Sequence, residues 1–458
     1  MRRRTHFKAA AVLSAVALLT ACGGNGEDEP EDDAPAAEET EDTGSESEDE
    51  TEDTDTETGT DDGSMETDAP GTGGEAGEFK FGYLFPETGA LAYLGPPQIS
   101  ALNMAIEDIN AAGGVLGSEV PAAIGGDEGD QATVVQASAD RVLAENPTAI
   151  VGAAASGRSL DVIDRITGAG VLQCSGSNTA PTFTDYDDGG FYFRTAPSDA
   201  LQGPVLANTI VNDGWSNVAI VARADDYGRG LANATAEALE NQGATVSVNE
   251  TYDPVAQQYD GTVQAVVSAN PDAVVIVGFE ESVQIIQGLI EQGITPADYG
   301  FYGADGMRNP ELGSLVDEGN PAILAGMKGT APASAASDDF MTSLGEFDPA
   351  LGDNTQFAPQ VYDCAVTIAL AAEAAQSADP ADVAEAVNDV TIEGTACTSY
   401  EECKGLLEEG EDIDYNGASG PLDFTDVGEP GKATIEVYGF NDAGEFESLE
   451  TVESNPEG

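Results

Sequence analysis

From residue 79 onward the chain alternates between strand-like and helix-like hydrophobic patterns, and this alternation restricts the fold more than any other feature. FKFGYLF is followed by SALNMAIEDINAAGG, VPAAIGG, ATVVQASADRVLAE, TAIVG, SLDVIDRITGAG and VLQCSG. Short apolar runs separated by helices of 10–15 residues imply βαβ units, hence a parallel sheet with helices on both faces. Glycine closes the helices in NAAGG, TGAGV, ENQGA and EQGIT, as expected just past a helix C-terminus. The series then restarts with SNVAIVARADDYG, GLANATAEALENQGA, TVSVNETYD, YDGTVQAVVSAN, PDAVVIVGF, ESVQIIQGLIEQG and YGFYGADG. A short echo links the two series: Asn146-Pro-Thr-Ala-Ile-Val-Gly152 and Asn270-Pro-Asp-Ala-Val-Val-Ile-Val-Gly278 both break a helix with Asn-Pro and end a strand in glycine. Two α/β lobes of like architecture are the simplest account. Beyond about residue 330 lie a long apolar helix, PQVYDCAVTIALAAEAAQ, two shorter helices and a β-rich tail with ATIEVYGF. The chain is therefore expected to return to the first lobe and finally to the second.

The N-terminal residues address the chain. Met1-Arg-Arg-Arg with Lys8 precedes an apolar run from Ala9 to Leu19, of signal-peptide length and too short to span a bilayer. It ends in Leu19-Thr-Ala-Cys-Gly23, which resembles a bacterial lipobox and implies lipidation of Cys22 after removal of residues 1–21. Gly23 to Glu78 holds 24 acids among 56 residues and no Lys, Arg, aromatic or β-branched aliphatic residue. Such a segment buries too little apolar surface to offset its ordering entropy, so 22–78 is expected to be a disordered acidic tether. Residues 79–458 carry 61 acids and 11 bases. A net charge near −50 disfavours nucleic acid as a partner, and it suits a saline habitat that screens self-repulsion.

Composition also removes chemistry. The single histidine, His6, lies in the signal, so Ser-His-Asp and Cys-His catalysis and His-ligated metals are excluded from the exported chain. Acids are too numerous for any one pair to indicate hydrolysis. Asp185-Tyr-Asp-Asp-Gly-Gly190 lacks the ligand spacing of a calcium loop and is taken as a polar turn. No metal and no cofactor is expected. Besides Cys22, four cysteines remain. A local Cys397–Cys403 bridge is expected from their spacing of six, with Cys174 and Cys364 either paired or buried and reduced.

TAIVGAAASGRSLDVID is nearly a phosphate loop, with Arg158 where that motif requires lysine. A strand ends there and a helix starts around Ser156–Ser159, which leaves free backbone N–H groups and the positive end of the helix dipole. That geometry accepts a carboxylate as well as a phosphate, although Ser156 and Ser159 also suit simple helix capping. Arg158 and the exported address favour the carboxylate.

The segments GYLFPETGALAYLGPPQISALNMAIEDINAAGGVLG, AIVGAAASGRSLDVID, SGSNTAPTFTD, FYFRTAPSDALQG, DDYGRGLA, YGFYGADG and FAPQVYDCAVTIALAA, in this order, resemble the branched-chain amino-acid-binding lipoproteins of ABC importers. The resemblance implies a type I periplasmic-binding fold: two Rossmann-like lobes with parallel sheets, joined by a three-crossover hinge. On that basis the first lobe is placed at 79–198 plus 331–418, and the second at 199–330 plus 419–458. It further implies that Ser156 holds the ligand carboxylate through its hydroxyl and N–H, and that Thr179 donates a second hydroxyl. The Ser177 carbonyl and Asp305 would face the ammonium, with Tyr93, Tyr227, Phe279 and Phe357 lining the pocket. For Tyr227 and Phe357 ordinary packing stands as an equal alternative. Asp305 stands where the family often has glutamate, so either the ligand sits deeper, Glu280 assists, or the ligand is not a plain α-amino acid. The function implied is capture of an amino acid, most naturally an aliphatic one, by a monomer that delivers it to a membrane permease. A sensory binding module and a receptor for amides or small carboxylic acids are the alternatives.

Overall fold

The structure is a computed structural model that describes residues 78–333 and 336–455. The expected signal peptide, Cys22 and nearly all of the tether lie outside the described residues. Five short strands, β1 (Phe81–Phe85), β2 (Ile124–Asp127), β3 (Ala149–Gly152), β4 (Leu172–Ser175) and β5 (Tyr192–Arg194), form one sheet in the order β2-β1-β3-β4-β5. Every pairing in it is parallel. β6 (Asn217–Arg223), β7 (Thr245–Tyr252), β8 (Ala273–Val277), β9 (Gly300–Gly303) and β10 (Lys328–Pro332) repeat that order as β7-β6-β8-β9-β10, again parallel. The Asn-Pro echo falls at the same place in both lobes, just before the third strand. Asn146 and Asn270 both take left-handed backbone, φ 53° and 48°, a conformation asparagine tolerates better than most residues.

Strands β3 and β8 are buried along their whole length, as continuous apolar runs in a sheet covered on both faces must be, and β4 is buried too despite its polar Gln173 and Ser175. Gly243 and Gly293, at φ 85° and 83°, end their helices as the glycine signals require. β11 (Thr395–Cys397), β12 (Ile413–Gly417) and β13 (Gly420–Pro421) make a small separate sheet. β14 (Ala433–Phe440) and β15 (Phe446–Ser454) then extend the second sheet antiparallel from β10, the β-rich tail expected of the sequence.

The long helix Ala358–Ala375 is buried on nearly every side and packs with Gly95–Ala111 in the first lobe's core. The two shorter helices after it are Pro380–Ala386 and Tyr400–Glu409. The chain passes between lobes after β5, after β10 and before β14. Leu422 and Phe424 still pack in the first lobe's core, so the third crossover follows Phe424 and not residue 418. Both disulfides are formed, Cys174–Cys364 and Cys397–Cys403, and all four cysteines lie in that same core. Neither bridge therefore joins one lobe to the other. No helix among the described residues is long and apolar enough to cross a membrane.

Candidate functional site

In each sheet the strand order reverses beside its first strand, between β1 and β3 in one lobe and β6 and β8 in the other. Loops leaving the C-terminal ends of strands at such a point splay apart and make a crevice for a ligand. Ser156 follows β3, Tyr93 follows β1, and Ser177 and Thr179 follow β4. Tyr227 follows β6, Phe279 follows β8, and Asp305 follows β9. Phe357 begins the long helix. The fold thus gathers the predicted residues at the facing ends of the two sheets.

On the first lobe, Ser156 is buried and opens the helix Ser156–Leu160. Its Oγ accepts from the Ala180 N–H at 3.3 Å, while its own proton goes to no group among the described residues. The two N–H groups before it, of Ala154 and Ala155, donate to the Glu128 carboxylate. Burial pushes the Glu128 carboxyl up to about 8, although those donors and Arg158 pull the other way. Arg158 points elsewhere: it donates to the Asp130 carbonyl at 3.0 Å and pairs with Asp161 at 2.9 Å. The near-phosphate motif therefore keeps its guanidinium on the lobe's own surface. Ser177 donates its hydroxyl to the Ala154 carbonyl at 3.1 Å. Asn178 ties the two loops together through the Ala153 and Ala154 carbonyls.

Thr179 differs from its expected role. Its hydroxyl donates to Asp199 Oδ2 at 3.0 Å, so that proton does not serve a ligand carboxylate and the oxygen presents lone pairs instead.

On the second lobe, the Tyr227 hydroxyl donates to Asp305 Oδ1 at 2.9 Å and accepts from the Gly306 N–H at 3.1 Å. Gln202 Nε2 donates to the same carboxylate oxygen at 3.0 Å. Burial raises the Asp305 carboxyl to about 6, against these two donors. The Phe279 ring stacks on Tyr227 with centroids 5.5 Å apart, and the Arg223 guanidinium lies 3.5 Å from its centroid. Arg223 is in turn held by Asp225 and Glu281. Glu280, offered as a helper for Asp305, is exposed to solvent, which removes it from that role.

The lobes touch across the crevice. Tyr93 donates its hydroxyl to the Gly306 carbonyl at 3.2 Å, and Gln356 Nε2 donates to the Asp305 carbonyl at 2.8 Å. Leu91, Leu94 and Phe357 pack in one cluster with Tyr227 and Phe279. Phe357 holds φ 62°, a left-handed conformation that a bulky side chain adopts only under constraint from its surroundings. At the hinge, buried Arg194 on β5 pairs with Glu429 and donates to the Asn178 and Ala180 carbonyls, at 3.2 and 2.8 Å. A hollow of about 790 Å³ lined by Asp382, Glu385, Asp389 and Glu393 is remote from all these residues and opens to solvent on the first lobe.

Glu128, Arg194, Asp199, Gln202 and Gln356 were not singled out from the sequence. Asp199 and Gln202 stand three apart in SDALQG, a spacing that puts them on one helix face, and that was the available signal.

The periplasmic binding protein family model matches residues 78–408. The chain is 28% identical to a leucine-, isoleucine-, valine-, threonine- and alanine-binding protein of Pseudomonas aeruginosa, over 69% of this chain and 84% of the relative. It is also 28% identical to the chemotactic signal transduction substrate-binding protein BasB of Halobacterium salinarum, over 81% of this chain and 89% of the relative. Among solved structures it resembles the branched-chain amino-acid transporter substrate-binding protein LivJ of Streptococcus pneumoniae in complex with isoleucine. There the TM-score is 0.67 at 20% identity, covering 82% of this chain and 99% of that one. Two lobes of repeated topology, a crevice at their switch points and a family match across most of the folded chain lead to one conclusion: the chain belongs to the periplasmic binding proteins, solute receptors that work outside the cytoplasm.

Proposed function

We propose that the chain captures an amino acid of the branched-chain type in the interlobe crevice and hands it to an ABC permease, without chemistry of its own. The observation that carries this reading is the dipolar layout of the site. Ser156, with an uncommitted hydroxyl proton, lies at the first sheet's end, and the buried Asp305 lies at the second's. A zwitterion spans such a pair, its carboxylate on the donor end and its ammonium on the acid, and charge-assisted bonds fix its orientation. Tyr93, Tyr227, Phe279 and Phe357 then grade the side chain, and Ser177 contributes its carbonyl. Cys22 anchors the receptor to the outer face of the membrane, with 22–78 as its tether, and the receptor acts as a monomer.

Calorimetric titration with isoleucine, leucine and valine tests the reading. Saturable binding of at least one is expected, with no heat from ATP and magnesium. Absence of binding by all three would defeat it. The likeness to a chemotactic substrate-binding protein supports a second reading, in which the liganded form signals to a receptor. Deleting the gene separates the two. Loss of labelled isoleucine uptake indicates import, and intact uptake with lost attraction to isoleucine indicates sensing.

A further inference from the structure

Asp199 has an ordinary explanation at hand. It is the first residue of the helix Asp199–Asn212, behind Ser198, whose Oγ caps the helix by accepting from the Ala200 N–H at 3.3 Å. An acid in the first turn is favoured by the helix dipole. An acid with that duty alone can face water, yet Asp199 is wholly buried. Its Oδ2 accepts the Thr179 hydroxyl, and its Oδ1 has no partner among the described residues. No lysine or arginine pairs with it there, because the nearby Arg194 is engaged by Glu429. A carboxylate held in this way is costly until a cation reaches it.

Two further acceptors share this condition. Gln202 donates its Nε2 to Asp305 Oδ1, and its Oε1 has no partner among the described residues. Gln356 donates its Nε2 to the Asp305 carbonyl, and its Oε1 is likewise alone among them. Asp305 itself acts on Asp199 through space: burial first, then this neighbouring charge, holds the Asp199 carboxyl well above the usual carboxylate range. Two of these acceptors sit on side chains bonded to Asp305 and the third on Asp199, which feels its charge, and a primary ammonium carries three N–H donors.

We propose that Asp199 is a second carboxylate for the ligand's ammonium, which it brackets together with Asp305. This rests on the amino-acid reading above and assigns the amine end of the ligand to the second lobe. Thr179, from the first lobe, orients Asp199 across the crevice.

The test is calorimetry on the full-length chain with isoleucine and with 3-methylpentanoate, the same carbon skeleton without the amine. Asp199→Asn is expected to weaken isoleucine roughly 10- to 100-fold. It should leave 3-methylpentanoate unchanged or bound more tightly, since a charge that repels a carboxylic acid is gone. Thr179→Val retains both acids and loses the hydroxyl that orients Asp199, together with that oxygen's own lone pairs, so it serves if Asp199→Asn does not fold. It should reduce the preference for isoleucine over the amine-free acid by about 3- to 10-fold. Wild-type discrimination in whichever variant folds overturns the inference and leaves the amino-acid reading intact. Wild-type protein that binds isoleucine no better than 3-methylpentanoate overturns both.

Discussion

Ser156 and Thr179 are both hydroxyls at the mouth of the first sheet, yet hydrogen bonding gives them different capacities. Ser156 accepts from Ala180 and its own proton goes to no group among the described residues, whereas Thr179 has given its proton to Asp199. Replacing Ser156 by alanine removes one bond to a charged group, worth about 1.5–3 kcal/mol, or roughly 10- to 150-fold in affinity. Backbone donors remain, so isoleucine binding measured by calorimetry should weaken without vanishing. Unchanged affinity would remove Ser156 from the site. The local structure around Ser156 was legible in the sequence, because a strand, a small-residue loop and a helix start announce a donor-rich turn. Asp199 was not, because its proposed role depends on Asp305, 106 residues further along the chain (305 − 199), and local pattern carries no such information. Glu280 shows the opposite error: it was offered to assist an aspartate one methylene shorter than the family's usual glutamate, and the turn after β8 leaves it exposed to solvent.

Elements were more legible than residues. Hydrophobic period, Asn-Pro breaks and terminal glycines place the strands and helices of both lobes, because each is set by a few neighbouring residues. Crossover positions are set by long-range packing, and Leu422 and Phe424 keep the chain in the first lobe beyond 418. The helix Asp226–Asn241 shows how closely the two lobes approach. A β-carbon on its Gly230 would stand 2.5 Å from Pro181 Cδ on the opposite lobe, too near for any side chain without movement. Gly230→Leu should therefore hold the lobes apart while touching no ligand. Isoleucine affinity should fall, because binding draws on the closed state. The ligand-induced decrease in radius of gyration seen by X-ray scattering for the wild type should shrink in the variant. A full-sized decrease would show that this contact does not limit closure.

The whole molecule is shaped by its acids. Burial raises Glu128 to about 8 and Asp305 and Asp363 to about 6, and raises Asp199 as well. Unfolded carboxyls titrate near 4. Between about pH 4.5 and 8 the folded chain thus holds protons that the unfolded chain has lost, and stability must fall as pH rises through that window. The formal charge of −70 at pH 7 adds repulsion of the same sign, which salt screens. At low salt the melting temperature should be higher at pH 5 than at pH 8. Glu128→Gln should lessen the difference, and added salt should help more at pH 8. A melting temperature that climbs from pH 5 to 8 would contradict this. The tail raises a separate matter, the order of assembly. β10 gains its outer neighbour only from β14, and the second core takes in Tyr438 and Phe440. The first core likewise waits for the helix Ala358–Ala375, which arrives more than 160 residues after β5. Each lobe is a sandwich of early and late chain, so the first cannot close before the segment ending near Phe424 is made, and the second cannot close before β14 follows it. The unfinished edge of β10 is the surface that a nascent chain must keep from other strands until β14 arrives.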